Sequence, residues 1–215
     1  VLNTPISLQV TRFDLDFGAS APEDLPRLKA DYPYLFPQQF PDSVWISTMS
    51  DTLQRQLREE VRKSFSDFRP YEMELELYFK HVAYYFPQAP IPGVLTVTSN
   101  VDYKNRVILT DSLLLIGLDN YLGSEIVYYQ QLGIPKYLRK TMDPEYLVVD
   151  AVRAWILSEV ENSHYLSTLL DHIVFEGKIL HLLRESLPQE KENKIFRYTD
   201  QELQWCRQYE VSMWK

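Results

Sequence analysis

The chain has 215 residues, and its 22 Lys and Arg against 30 Asp and Glu leave a net charge of −8 with the histidines neutral. An apolar fraction of 45% and a charged fraction of 24% are those of a globular α/β-containing chain long enough to bury a real core, which excludes wholesale disorder. An acidic chain without clustered Lys and Arg cannot neutralise a phosphate backbone, so a nucleic-acid partner is excluded, and the single cysteine, Cys206, excludes an internal disulfide framework.

Ser7 to Phe17 alternates apolar and polar residues through Leu8, Val10, Phe13, Leu15 and Phe17, with a slip at Thr11-Arg12, and reads as a half-buried strand with a bulge. Pro22 to Ala30 reads as a short helix. The proline-broken run from Asp31 to Pro41 cannot be regular, and its aromatics predict a strap across the core. From Val44 to Phe65, Ile46, Met49, Leu53, Leu57, Val61 and Phe65 recur at three and four residues, predicting one helix. Tyr71 to Phe86 carries both periods; its length and straight-chain residues favour a helix stopped by Pro87.

Val94–Thr98 and Arg106–Thr110 are short and β-branched, and read as a hairpin with a long loop. Leu113–Leu118 is apolar without alternation, the pattern of a central strand covered on both faces. It spans six residues, far below the ~18 needed to cross a membrane. The Tyr-rich stretch from Asp119 to Met142 reads as an ordered loop with short helices, either packed on the sheet or open to a partner.

Asp143-Pro144-Glu145 opens a helix to about Val160 that is apolar nearly all round, so it should be central. A further helix to Leu187 carries Leu166, Leu170, Ile173, Gly177 and Leu180 on one face, which predicts close packing at Gly177. Thr199-Asp-Gln-Glu202 is a capping box for a final helix, with Cys206 on its apolar stripe near Leu203. There is no internal repeat. The expected fold is therefore one α+β domain over residues 1–215, with a small, mostly antiparallel sheet of Ser7–Phe17, Val94–Thr98, Arg106–Thr110 and Leu113–Leu118 packed by several helices.

The chain holds no H-E-x-x-H, no G-x-S-x-G and no glycine-rich phosphate loop. His172 and Glu176 stand four apart on one helix, a spacing that a zinc pair can use, with Asp150 as the one tempting third ligand. The plainer reading is a surface pair. Asp150 and Arg153, about 60° apart on the central helix at 100° per residue, offer either a tuned base or a buried ion pair, and the ion pair is favoured. No catalytic, metal or cofactor assignment follows.

Several stretches in one order carry a resemblance. They are Tyr32-Pro-Tyr-Leu-Phe-Pro37, Phe79-Lys-His-Val-Ala-Tyr-Tyr-Phe-Pro87, Leu95-Thr-Val-Thr-Ser-Asn-Val-Asp-Tyr-Lys-Asn105 and Asp111-Ser-Leu-Leu-Leu-Ile-Gly-Leu-Asp-Asn-Tyr-Leu-Gly123, then Asp143-Pro-Glu-Tyr-Leu-Val-Val-Asp150, Gly177-Lys-Ile-Leu180 and Tyr198-Thr-Asp-Gln-Glu-Leu-Gln-Trp205. Together they resemble the GldB family of gliding-motility lipoproteins of Bacteroidetes-type bacteria. The resemblance implies a lipid-anchored envelope protein facing the periplasm, associated with gliding and its linked secretion machinery and with no established catalytic activity. It also implies an anchor segment before Val1 and family sequence beyond Lys215, and it would place a proline where Val149 stands.

The layout is similar, too, to zinc proteases of the zincin type: Glu176-Gly177 fits the later glutamate element, while Asp150-Ala-Val-Arg-Ala154 stands where two histidines would be. This implies a scaffold without the metal chemistry; a zinc hydrolase and a ligand-binding module are the alternatives. The expected contact groove lies between Leu113–Gly123 and the Asp150 helix, involving Asp111, Asp119, Tyr121, Asp150, Arg153, His172 and Glu176. The expected partners are envelope proteins of the gliding and secretion machinery, and the membrane through the anchor.

Overall fold

The computed structural model describes residues 6–160 and 168–213. Strand β1 (Val10–Arg12) is three residues long and gives way at once to α1 (Phe13–Ala19). The expected strand to Phe17 is thus corrected: the slip at Thr11-Arg12 marks a change of period from two to nearly four, because Phe13 and Phe17 bury together one helical turn apart. Arg12 locks the corner, with Nε and Nη2 each donating at 2.8 Å to the carboxylate of buried Asp14 and Nη1 donating at 3.0 Å to the Phe65 carbonyl.

α2 (Leu25–Asp31) buries Leu25 and Leu28. The following strap is buried at Phe36 but leaves Tyr34 and Phe40 in solvent. The single helix expected over 44–65 is two, α3 (Asp42–Ser50) and α4 (Thr52–Ser64). Asp51 breaks it: extended at ψ 127, its carboxylate accepts the Gln54 amide at 2.8 Å and caps α4. Arg58 closes the joint by donating to the Thr48 and Met49 carbonyls at the end of α3. α5 (Arg69–Tyr85) is the helix expected before Pro87, and it buries Leu75, Tyr78, Phe79 and Val82.

The sheet has the order β1-β2-β4-β3, with β2 (Gly93–Val97), β3 (Val107–Leu109) and β4 (Leu113–Gly117). β4 is central, as its unbroken apolar run predicts. It runs parallel to β2, with Val94 opposite Leu114, and antiparallel to β3, with Ile108 opposite Leu115. The expected pairing of 94–98 with 106–110 does not form, since β4 lies between them. The hairpin is β3–β4 instead, turned at Thr110 to Ser112.

The α+β class holds, but two of the three pairings are parallel rather than most being antiparallel. β1 and β2 are parallel because all of α1 to α5 lies between them, and a helical crossover returns the chain in its original direction. Alternate residues of the central strands face two cores. Val94, Leu114 and Ile116 meet α5 and α8 (Leu147–Glu159), and Leu95 and Leu115 meet the α1–α3 side.

The Asp119 to Met142 stretch has the short helices expected, α6 (Val127–Gln131) and α7 (Lys136–Arg139). Tyr121 and Tyr129 are fully buried there, so these tyrosines pack inward, while Tyr137 is exposed. Asp143 caps the turn into α8, accepting from the Glu145 amide at 3.3 Å, and α8 buries eight residues. Trp155 of α8 meets Tyr78 of α5 edge-on, ring centres 5.8 Å apart.

α9 (Leu169–Ser186) buries Ile179 and Leu183, so its inward face is rotated from the stripe read in the sequence. Leu170 and Ile173 are exposed, a Cβ at Gly177 would meet nothing within 4 Å, and Leu166 lies outside the described residues. The predicted close approach at Gly177 is absent. α10 (Glu192–Phe196), not foreseen, buries Ile195. α11 (Asp200–Met213) starts at the predicted Thr199–Glu202 capping box, with the Glu202 amide donating to Thr199 Oγ1 at 3.2 Å and Glu202 Oε2 accepting from the Thr199 amide at 2.7 Å. No residue of α11 is buried, and Cys206 is only half-buried.

Candidate functional site

The central helix carries Asp150, 8% exposed and surrounded by donors. Tyr121, at the end of the short turn after β4, donates its hydroxyl to Asp150 Oδ2 at 2.9 Å. Arg197 donates through Nη2 to Oδ1, and Arg106 Nη1 stands 3.6 Å from Oδ2. Arg197 is held in the left-handed region, φ 57 and ψ 31, at the end of α10; that turn aims its side chain back at α8. Arg106 enters β3 and is braced by carbonyls: Nη1 donates to Thr141 O at 2.8 Å and Nε to Tyr103 O at 3.2 Å.

A buried carboxylate is tolerable only when its charge is matched and its lone pairs are used, and this one has both conditions met. Burial pushes the Tyr121 phenol well above its ordinary range, with the Asp150 charge adding to the effect, so Tyr121 is a fixed hydrogen-bond donor.

Around this cluster lies an open groove of about 330 Å³, walled by Tyr103, Val107, Leu138 and Leu157 and edged by Lys104 and Arg153. Arg153 does not pair with Asp150. Its Nη2 spans to α9 and donates to both oxygens of Glu176, at 2.9 and 2.7 Å. The ion pair expected within α8 is therefore corrected to three pairs, Asp150 with Arg197 and Arg106 and Arg153 with Glu176, each reaching outside the helix.

The other expected site residues separate. Asp119 is fully buried and structural: both carboxylate oxygens accept the Ser99 amide at 2.9 Å, and Oδ2 accepts the Val101 amide at 2.6 Å. It thereby holds Asn100 and Val101 at positive φ, 58 and 57. Asp111 lines a different groove of about 370 Å³, beside Pro92, Trp155 and Glu159. His172 is exposed on α9, and its neighbour Glu176 is held by Arg153. Among the described residues no group of three or more His, Cys, Asp or Glu is placed to hold a metal ion. Within the expected groove at Leu113–Gly123, Leu118 to Tyr121 are buried, and the open wall beside Asp150 is formed by Tyr103–Val107.

Arg106 and Arg197 were not foreseen. Neither sits in a motif, and Arg197 is brought to Asp150 only by a left-handed turn at a position where the sequence shows no glycine.

No helix among the described residues is long and apolar enough to cross a membrane. Comparison with curated proteins and with solved structures finds no match to the chain. The whole chain, residues 1–215, matches the family described as gliding motility protein GldB, and it belongs to that family.

Proposed function

We propose that this protein is a lipid-anchored, periplasm-facing member of the gliding apparatus and its linked secretion machinery, and that it acts by protein contact rather than by catalysis. The observation that carries this reading is apolar surface on two helices that the described residues leave exposed. α11 buries none of its residues yet presents Trp205, Tyr209, Val211 and Met213 to solvent, and α9 presents Leu169, Leu170, Ile173 and Val174. Side chains of this size left together in water mark a contact surface.

The state of the acids supports the non-catalytic part. Asp150 and Glu176 are each engaged by guanidinium groups through charge-assisted hydrogen bonds, so their oxygens are already occupied by side chains of the protein itself. The designation of the matching family as lipoproteins supports the anchored placement.

Crosslinked recovery from cells carrying the anchored protein tests the proposal. Motor or secretion components of the envelope should be recovered, and their yield should fall in Leu170→Glu and Trp205→Glu variants, both altered at exposed positions. Equal recovery by the variants, or peptide cleavage by purified protein that stops on chelation, refutes it.

A further inference from the structure

We propose that the groove beside Asp150 binds an extended acidic segment of a partner protein, taking its carboxylates on Arg153, Arg197 and Lys104. The proposal rests on the contact reading above and adds the chemistry of what is contacted.

Four cations, Lys104, Arg106, Arg153 and Arg197, border the groove, against the carboxylate of Asp150 in its lining, Glu176 beside Arg153 and Asp102 beside Lys104. An excess of positive charge therefore stands in one place on a chain whose net charge is −8. Arg106 is consumed internally by Asp150 and the carbonyls of Tyr103, Leu138 and Thr141. The others are not. Arg197 uses Nη2 alone among the described residues, with its side chain 36% exposed. Arg153 likewise spends only Nη2, on Glu176, and Lys104 is exposed, with Asp102 as a neighbouring charge but no close ion pair at its Nζ among the described residues.

Each guanidinium thus keeps an edge of N–H donors in the fork geometry that a carboxylate fills bidentately. Their positions are fixed in advance, Arg197 by its turn and its bond to Asp150 and Arg153 by its bridge to α9, so little ordering remains to oppose binding.

The walls decide the ligand class. Tyr103, Val107, Leu138 and Leu157 line the groove with apolar surface, which suits side chains alternating with acids along an extended peptide. A small hydrated anion gains nothing from such walls. An anionic membrane face would be repelled by the rest of this acidic chain.

The test uses fluorescence anisotropy of the protein with a short fluorescein-labelled peptide of alternating glutamate and leucine. A glutamine-leucine peptide is the control, and inorganic phosphate and phosphatidylglycerol vesicles are the competing probes. The glutamate peptide should bind, more weakly as salt rises, and Lys104→Glu with Arg153→Gln should weaken it about tenfold or more. Lys104→Glu alone, at an exposed position, should give a smaller loss without any change in thermal midpoint.

Equal binding of the glutamine peptide, unchanged affinity in the double variant, displacement by phosphate, or binding to vesicles alone would each overturn the proposal. Failure here with recovery through Leu170 and Trp205 intact leaves the contact reading standing. Peptide binding with no recovery of envelope components defeats that reading instead.

Discussion

The Tyr121 hydroxyl and the Asp150 carboxylate, 29 positions apart in sequence, meet at 2.9 Å beneath the groove and tie the turn after β4 to the central helix. Removing only the donor, Tyr121→Phe, leaves Asp150 matched by Arg197 and Arg106 and should cost about 1–3 kcal/mol. Asp150→Ala strands two guanidinium groups and should cost about 3–5 kcal/mol. Urea unfolding of both variants checks the order, and an equal loss in the two would contradict it.

The left-handed pair Asn100 and Val101 depends on Asp119, which accepts the Val101 amide, while Gly117 packs against the adjoining Ser99. Val101 is β-branched, and such a residue persists at positive φ only when its surroundings enforce it. Asp119→Asn turns an amide N–H₂ toward the Ser99 and Val101 amides and should cost about 1–3 kcal/mol for each donor left unpaired. A Cβ at Gly117 would come within 2.8 Å of Asn120 Nδ2 and Ser99 Oγ, so Gly117→Ala should cost about 1–3 kcal/mol. Thermal unfolding of the two variants measures both effects.

Gly177 gives the opposite expectation. It lies exposed within α9, away from any positive φ, with open space where a Cβ would go. Gly177→Ala should therefore stabilise the protein by about 0.5–1 kcal/mol, through helix propensity and a less free unfolded chain. A lower thermal midpoint in that variant would show that something packs on this position.

Tyr32 donates its hydroxyl to Asp16, and that bond, with burial and the acid's charge following, pushes its phenol from 10.0 up to about 12. The folded state therefore holds this proton more tightly than the unfolded chain. The stabilisation is complete below pH 10 and is lost as pH climbs through about 12. Tyr32→Phe keeps the ring against Phe13, so wild-type stability should fall more steeply than the variant's across that window alone. Parallel slopes in chemical denaturation would refute the assignment.

Features written locally were legible in the sequence. Asp143-Pro144 and Thr199–Glu202 start helices where their caps predict, and the unbroken apolar run of β4 marks the central strand. The break at Asp51 was also written there, as an acid before a threonine, but the continuing apolar spacing from Met49 to Leu57 concealed it. The site was half legible: Asp150 and Arg153 stand out as the polar residues of an apolar helix, while Arg106 and Arg197 carry no mark of their destination.

By itself the sequence determined the α+β class, the central helix and the caps, because each rests on spacing and residue type within one stretch of chain, and the family through its resemblance along the whole chain. Strand partners and direction, the inward face of α9 and the pairing of Asp150 with Arg197 rather than Arg153 were decided only in three dimensions. Which strand a strand meets, and which cation neutralises a buried acid, depends on closing loops tens of residues long. That choice is set by the total burial and charge matching of the folded molecule, which no local pattern encodes.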